Sequence, residues 1–249
     1  MGKGVIPYQH PLALWTVGLQ QRDFISCAID QSDLVIAVGY DLVEYPPKKW
    51  NPDGQIPIVH VGLTPAEIDS SYMPVVEVIG DISDSLTQIL TQILQQSDRK
   101  TQSSYPFRAV RDEIRADYEQ YRNDLAFPIK PQKLLYDLRQ IMRPEDIVLS
   151  DVGAHKMWIA RNYHCERPNT CLISNGFASM GIAIPGAIAA KLVNPQRHVV
   201  AVTGDGGFMM NCQELETALR LGTPFVTIIF NDGGCGRIEW NQRYHYGDS

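Results

Sequence analysis

The sequence predicts an α/β protein built from two parallel-sheet units. Three observations carry that prediction. Val199-Val200-Ala201-Val202 is a mostly β-branched run that stops at Thr203-Gly204-Asp205-Gly206-Gly207, the pattern of a buried strand ending in a sharp turn. Phe225-Val226-Thr227-Ile228-Ile229-Phe230 repeats it and ends at Asn231-Asp232-Gly233-Gly234, with a helix-like segment from Gln213 to Leu221 between the two runs. The same alternation of short apolar runs and amphipathic segments recurs near the start of the chain, and such alternation argues for parallel strands.

Taken in order, Gly2-Lys3-Gly4-Val5-Ile6-Pro7 carries no regular pattern, and His10-Pro11 reads as a loop entering a helix. Residues 25–29 read as a helix, broken by Gln31-Ser32-Asp33. Strands are expected over 34–38, 56–61 and 75–79, and an amphipathic helix from Asp84 to about Leu94. The polar stretch 95–104 reads as a linker. Over 107–123, Val110, Ile114, Tyr118 and Tyr121 fall at helical spacing among charged residues, so a surface helix with a solvated charged face is expected, ended by Pro128 and Pro131. A helix from Gln132 to about Met142 follows. Strands are then expected over 147–150, ending at Asp151, and over 170–173, ending at Ser174-Asn175-Gly176 before a helix of small residues. The domain boundaries this implies are 1–96, a linker with its helix over 97–130, and 131–249.

Composition narrows the function. A chain of 249 residues with 44% apolar and 20% charged residues can bury a core. A net charge of −6 argues against a nucleic-acid or anionic-membrane partner, since either would need clustered excess Lys and Arg. The five cysteines are scattered without a Cys-x-x-Cys pair, which points to reduced thiols and a cytoplasmic setting. The small, apolar run 180–190 contains Pro185 and is too short to cross a bilayer.

The strand tips carry the chemistry. A hard divalent cation such as Mg2+ takes oxygen ligands, usually one or two carboxylates together with phosphate oxygens, and Asp205 and Asp232 meet that need. Gly204, Gly206 and Gly207 leave room for a diphosphate, and free amides of the following segment can donate to it. The alternative for a lone Gly-Asp-Gly is a plain Asx turn, and the second acidic tip argues against it. Asp151 stands where a helix cap would stand. His155, in the first helical turn, is either a donor to an anion at that helix end or a satisfied surface histidine. A dinucleotide fold is rejected, because the strand ending at Gly39 is not followed by Gly-x-Gly-x-x-Gly.

These motifs resemble the thiamine diphosphate (ThDP) dependent enzymes. Gly204-Asp205-Gly206 closed by Asn231-Asp232 looks like their diphosphate and metal signature. Asp151-Val152-Gly153-Ala154-His155-Lys156-Met157-Trp158, Ile173-Ser174-Asn175-Gly176-Phe177-Ala178-Ser179-Met180-Gly181 and Gln213-Glu214-Leu215-Glu216-Thr217-Ala218 look like blocks of acetolactate synthase large chains. Ala37 to Tyr45, followed by Trp50-Asn51, is similar to the middle domain of the catabolic type, which lacks the FAD of the biosynthetic synthases, so no FAD is expected.

The resemblance implies a middle domain and a truncated ThDP-binding domain. It implies that two pyruvates condense to 2-acetolactate with loss of CO2 in a homodimeric or homotetrameric parent. The cofactor set would be His155, Ala178, Met180, Gly204, Asp205, Gly206, Gly207, Asp232 and Gly234, with Ala178 and Met180 holding the aminopyrimidine. Mg2+ would lie on Asp205, Asp232 and the carbonyl of Gly234. Asp232 departs from the commoner Asn, and Cys235 and Arg237 replace an expected aromatic and an expected aliphatic residue. The activating Glu of the family belongs to an N-terminal domain outside this chain, so no catalytic residue is assigned here. The chain is expected to be an internal fragment, inactive alone. Another ThDP decarboxylase or carboligase, or a non-catalytic binding module of this fold, are the alternatives.

Overall fold

The computed structural model describes residues 2–17, 24–43, 45–96 and 107–248. The chain divides into two compact units, Gln20–Asp112 and a second made of Met1–Leu19 with Glu113–Ser249. Most of the expected linker, from residue 97 to 104, lies outside the described residues.

The Gln20–Asp112 unit contains α1 (Phe24–Asp30), β1 (Val35–Val38), β2 (Ile58–Gly62), β3 (Val76–Ile79) and α2 (Ile82–Gln95). The strands form a parallel sheet in the order β1-β2-β3, with Val35 opposite Ile58 and Val59 opposite Val76. Ala37, Trp50, Ile58 and Tyr72 make its core. His60 is buried on β2, with Nδ1 at 2.9 Å from the Tyr72 hydroxyl and Nε2 at 3.1 Å from the carbonyl of Thr64. α2 starts earlier than the expected Asp84, because the Asp81 carboxylate caps it by accepting from the Asp84 amide at 3.0 Å.

The second unit contains α3 (Arg108–Glu119, which begins in the first unit), α4 (Pro131–Ile141), β4 (Ile147–Ser150), α5 (His155–Asn162), β5 (Cys171–Ile173), α6 (Ala183–Val193), β6 (Val199–Gly204), α7 (Asp205–Asn211), α8 (Glu214–Leu221), β7 (Val226–Phe230) and α9 (Gly236–Tyr246). All its strands are parallel, in the order β5-β4-β6-β7. Successive residues of a strand face opposite sides, and both sides are covered. Val148, Val200 and Val202 pack with Leu135 of α4 and Ile159 of α5. Ile147, Leu149, Val199 and Ala201 pack with Ala183, Ile184 and Ala187 of α6. The small residues of α6 have a geometric reason: a Cβ on Gly186 would stand 2.7 Å from the Leu149 side chain.

The start of the chain packs on this second unit. Lys3 Nζ donates to the carbonyl of Ala160 at 2.8 Å, the Tyr8 amide donates to the carbonyl of Cys165 at 3.0 Å, and the Tyr8 ring stacks on His164 at 3.5 Å.

Two helices depart from the expected pattern. α7 runs through Gly206 and Gly207, poor helix formers, because tertiary contacts and the acidic first residue Asp205 outweigh propensity. α9 leaves Ile238, Trp240 and Tyr244 exposed, so it carries no apolar stripe from which a helix could be read. The five cysteines are free, and among the described residues no helix is long and apolar enough to cross a membrane.

Candidate functional site

β4 and β6 are neighbours, yet the chain leaves β4 for β5 on one side before returning to form β6 on the other. The connections diverge there and open a crevice at the carboxyl ends of the two strands, the place where open α/β sheets bind ligands. Asp151 and His155 follow β4, and Asp205 follows β6.

Asp205 opens α7 and accepts the Gly206 amide on Oδ1 at 2.9 Å and the Gly233 amide on Oδ2 at 3.0 Å. The second bond ties the tip of β6 to the turn after β7. In that turn the Asp232 Oδ1 accepts the Gly234 amide at 3.3 Å, and its Oδ2 would lie 2.5 Å from a Cβ on Gly236. Among the described residues neither carboxylate is ion-paired with Lys, Arg or His. No cluster of three or more His, Cys, Asp or Glu side chains suited to a metal occurs among them. The expected donor set needs only two such side chains, the rest being backbone oxygen.

His155 is not a surface residue. It is 3% exposed, its ring lies parallel to Phe230 at 6.2 Å, and its Nε2 is buried without a hydrogen-bond partner among the described residues. Burial pushes the imidazole below its ordinary pKa, against the opposing pull of Asp151 and Asp232. A buried nitrogen without a partner costs about 1–3 kcal/mol. It is also a ready donor or acceptor for something entering the crevice.

The glycines make room for the protein's own side chains. A Cβ on Gly204 would stand 3.5 Å from His155 Nδ1, and one on Gly206 would stand 3.7 Å from Cys235 Sγ and 3.9 Å from Met180 Cε. One on Gly207 would stand 2.9 Å from Thr203 Oγ1 and 3.2 Å from the Asp151 carboxyl. The structure therefore gathers His155 with Gly204, Met180 and Cys235 with Gly206, and Asp205 with Gly233. Ala178 lies on the same turn as Met180 with φ of +50°, a left-handed conformation rarely taken by a residue with a Cβ.

Asp151 is not a helix cap. The N-cap of α5 is Ala154, without a side-chain bond, whereas Asp151 is fully buried. Its Oδ1 accepts the amides of Val152 at 2.7 Å and Gly181 at 2.8 Å, and its Oδ2 accepts the Ala183 amide at 3.4 Å and the Thr203 hydroxyl at 3.1 Å. Sequence reasoning missed this hub, together with Thr203 and Asn211. A signal existed for Asp151, since it ends its strand as Asp205 follows its own.

The thiamine pyrophosphate enzyme C-terminal TPP-binding domain model matches residues 151–249, and the thiamine pyrophosphate enzyme central domain model matches residues 1–89. The chain belongs to the thiamine pyrophosphate enzyme family. Its relatives there include the acetolactate synthase of Bacillus subtilis, 33% identical over 92% of this chain and 40% of that protein. The catabolic acetolactate synthase of Raoultella terrigena is 34% identical over 92% of this chain and 41% of that protein. The chloroplastic acetolactate synthase 1 of Oryza sativa is 31% identical over 98% and 38%. The chain thus spans about two fifths of the length of the curated relatives it matches.

Proposed function

We propose that this chain is the cofactor-binding part of a ThDP- and Mg2+-dependent acetolactate synthase of the catabolic type. The parent would join two pyruvates into 2-acetolactate with release of CO2, working without FAD in the cytoplasm as a homodimer or homotetramer. Residues 1–96 are assigned to the middle domain, 97–130 to a linker, and 131–249 to the ThDP-binding domain.

Two features fit that cofactor: the Nε2 of His155, unsatisfied among the described residues, and the two carboxylates at adjoining strand tips, which have no basic partner among them. Asp205, Asp232 and the carbonyl of Gly234 would hold Mg2+, while the backbone of the turn through Gly204, Gly206 and Gly207 would approach the diphosphate that the metal neutralises. His155 donates to that diphosphate from the start of α5. Ala178 and Met180 support the aminopyrimidine. When bound, the thiazolium ring supplies the nucleophile and electron sink for decarboxylation and carbon–carbon bond formation, and the protein supplies position and charge. No acid or base is assigned within this chain.

The observation that carries the reading is the partnerless His155 Nε2 at the switch point between β4 and β6. Calorimetric titration of the 249-residue chain with ThDP, with and without Mg2+, tests it. Saturable, Mg2+-dependent binding that Asp205→Ala removes is expected, and no binding in the wild type overturns it.

A further inference from the structure

Gly181 is held from both sides. Its amide donates to Asp151 Oδ1 at 2.8 Å, and its carbonyl accepts from Asn211 Nδ2 at 2.9 Å. Asp151 stands at the end of β4, where its other oxygen is anchored by the Thr203 hydroxyl of β6 at 3.1 Å. Asn211 is the last residue of α7, the helix that Asp205 opens. The fit is tight. Gly181 has φ of +84°, and a Cβ there would stand 2.6 Å from Asn211 Nδ2 and 3.0 Å from Met210 Cβ. Just upstream, Ala178 keeps its left-handed conformation, which a free turn would relax and which only surrounding contacts can maintain. Downstream, the Ala183 amide at the start of α6 reaches Asp151 Oδ2 at 3.4 Å.

The geometry points to Asp151 and Asn211 as positioning residues: together they clamp Gly181 and fix the 178–180 turn, with Met180, against the helix that starts at Asp205. This rests on the reading given under Proposed function, in which that turn receives the aminopyrimidine and Asp205 the metal diphosphate. The clamp sets the separation between the two halves of the cofactor site. Neither residue touches the cofactor; both act through Gly181.

Asn211→Ala is the main test, because Asn211 is only half-buried and its loss opens no core. Asp151→Asn, which keeps one acceptor oxygen for the Gly181 amide, is the conservative partner. Affinities of the full chain for ThDP and for inorganic pyrophosphate are measured in excess Mg2+, alongside amide hydrogen exchange over residues 174–185. Asn211→Ala is expected to weaken ThDP about fivefold, the size of one lost hydrogen bond, and to leave pyrophosphate unchanged. Exchange over 174–185 should rise while β6 stays protected, and Asp151→Asn should lose less affinity than Asp151→Ala. An equal loss of ThDP and pyrophosphate, or no loss of either, overturns the proposal. If the wild type binds neither probe, the cofactor reading fails by itself and exchange decides the clamp: faster exchange in Asn211→Ala supports it, unchanged exchange overturns it.

Discussion

The amide of Gly233 donates to Oδ2 of Asp205 at 3.0 Å, so one carboxylate joins the turn after β7 to the first residue of α7. Its other oxygen holds the Gly206 amide at 2.9 Å. Asp205→Ala releases both donors and, on the proposed reading, removes a metal ligand. Mg2+-dependent ThDP binding should disappear by calorimetry, with a loss of about 1–2 kcal/mol in urea unfolding. Asp205→Asn should lose the Mg2+ dependence with a smaller loss of stability. Unaltered Mg2+-dependent binding in either variant contradicts the assignment.

His155 predicts a conflict between stability and binding. Replacing it by Leu removes a buried nitrogen without a partner, so the cofactor-free chain should gain about 1 kcal/mol while ThDP affinity falls. The folded-state pKa of His155 lies below the ordinary value of about 6.5. Below that pH the unfolded chain binds the extra proton, and stability is lost as pH falls. The stability gap between His155→Leu and the wild type should therefore widen from pH 7 to pH 5. The buried His164, likewise held low by burial, keeps a similar slope in both proteins. A pH-independent gap would refute the argument.

Neighbouring glycines should respond differently to one methyl group. Gly206→Ala places its Cβ in ordinary contact at 3.7–3.9 Å, whereas Gly207→Ala places it 2.9 Å from Thr203 Oγ1 and against Asp151. Thermal unfolding should show Gly206→Ala near wild type and Gly207→Ala destabilised by about 1–3 kcal/mol. Equal melting temperatures would remove the steric reason given for Gly207.

Asp146 anchors the start of β4. It is fully buried and accepts from the amides of Arg143 and His198, both at 2.9 Å, and from the Arg143 guanidinium. Burial raises its pKa, but the Arg143 side chain and these amides outweigh that and hold it at about 2. The stabilisation is present above the unfolded value near 3.9 and is lost as pH falls toward 2. Asp146→Asn should lose at most about 2 kcal/mol at pH 7, because its charged partner Arg143 is half exposed, and should approach the wild type near pH 2. Urea titrations at both pH values check this.

Most of the parallel strands were legible because they are short runs rich in apolar, often β-branched residues and end in a glycine, an acid or a polar turn, and β6 and β7 fall where the apolar runs predict. Asp205 and the turn carrying Asp232 were legible for the same reason, since a polar residue after a buried run must sit at the sheet edge. Three things were not. α7 contradicts its own glycines, and only the packing of Gly207 beside Thr203 and Asp151 explains it. Asp151 looks like a cap because its true partners, Gly181 and Thr203, are distant in sequence. The burial of His155 depends on Phe230, which no local pattern connects to it.

The strand order also has a kinetic consequence. Thr203 and Asp151 meet across a gap of 52 positions, so the pairing of β4 with β6 that frames the crevice is a long-range contact, slow to close during folding. A folding intermediate without that pairing has no crevice, so a small molecule that fits it cannot guide early collapse. It would trap the finished state instead, slowing unfolding while leaving the refolding rate almost untouched.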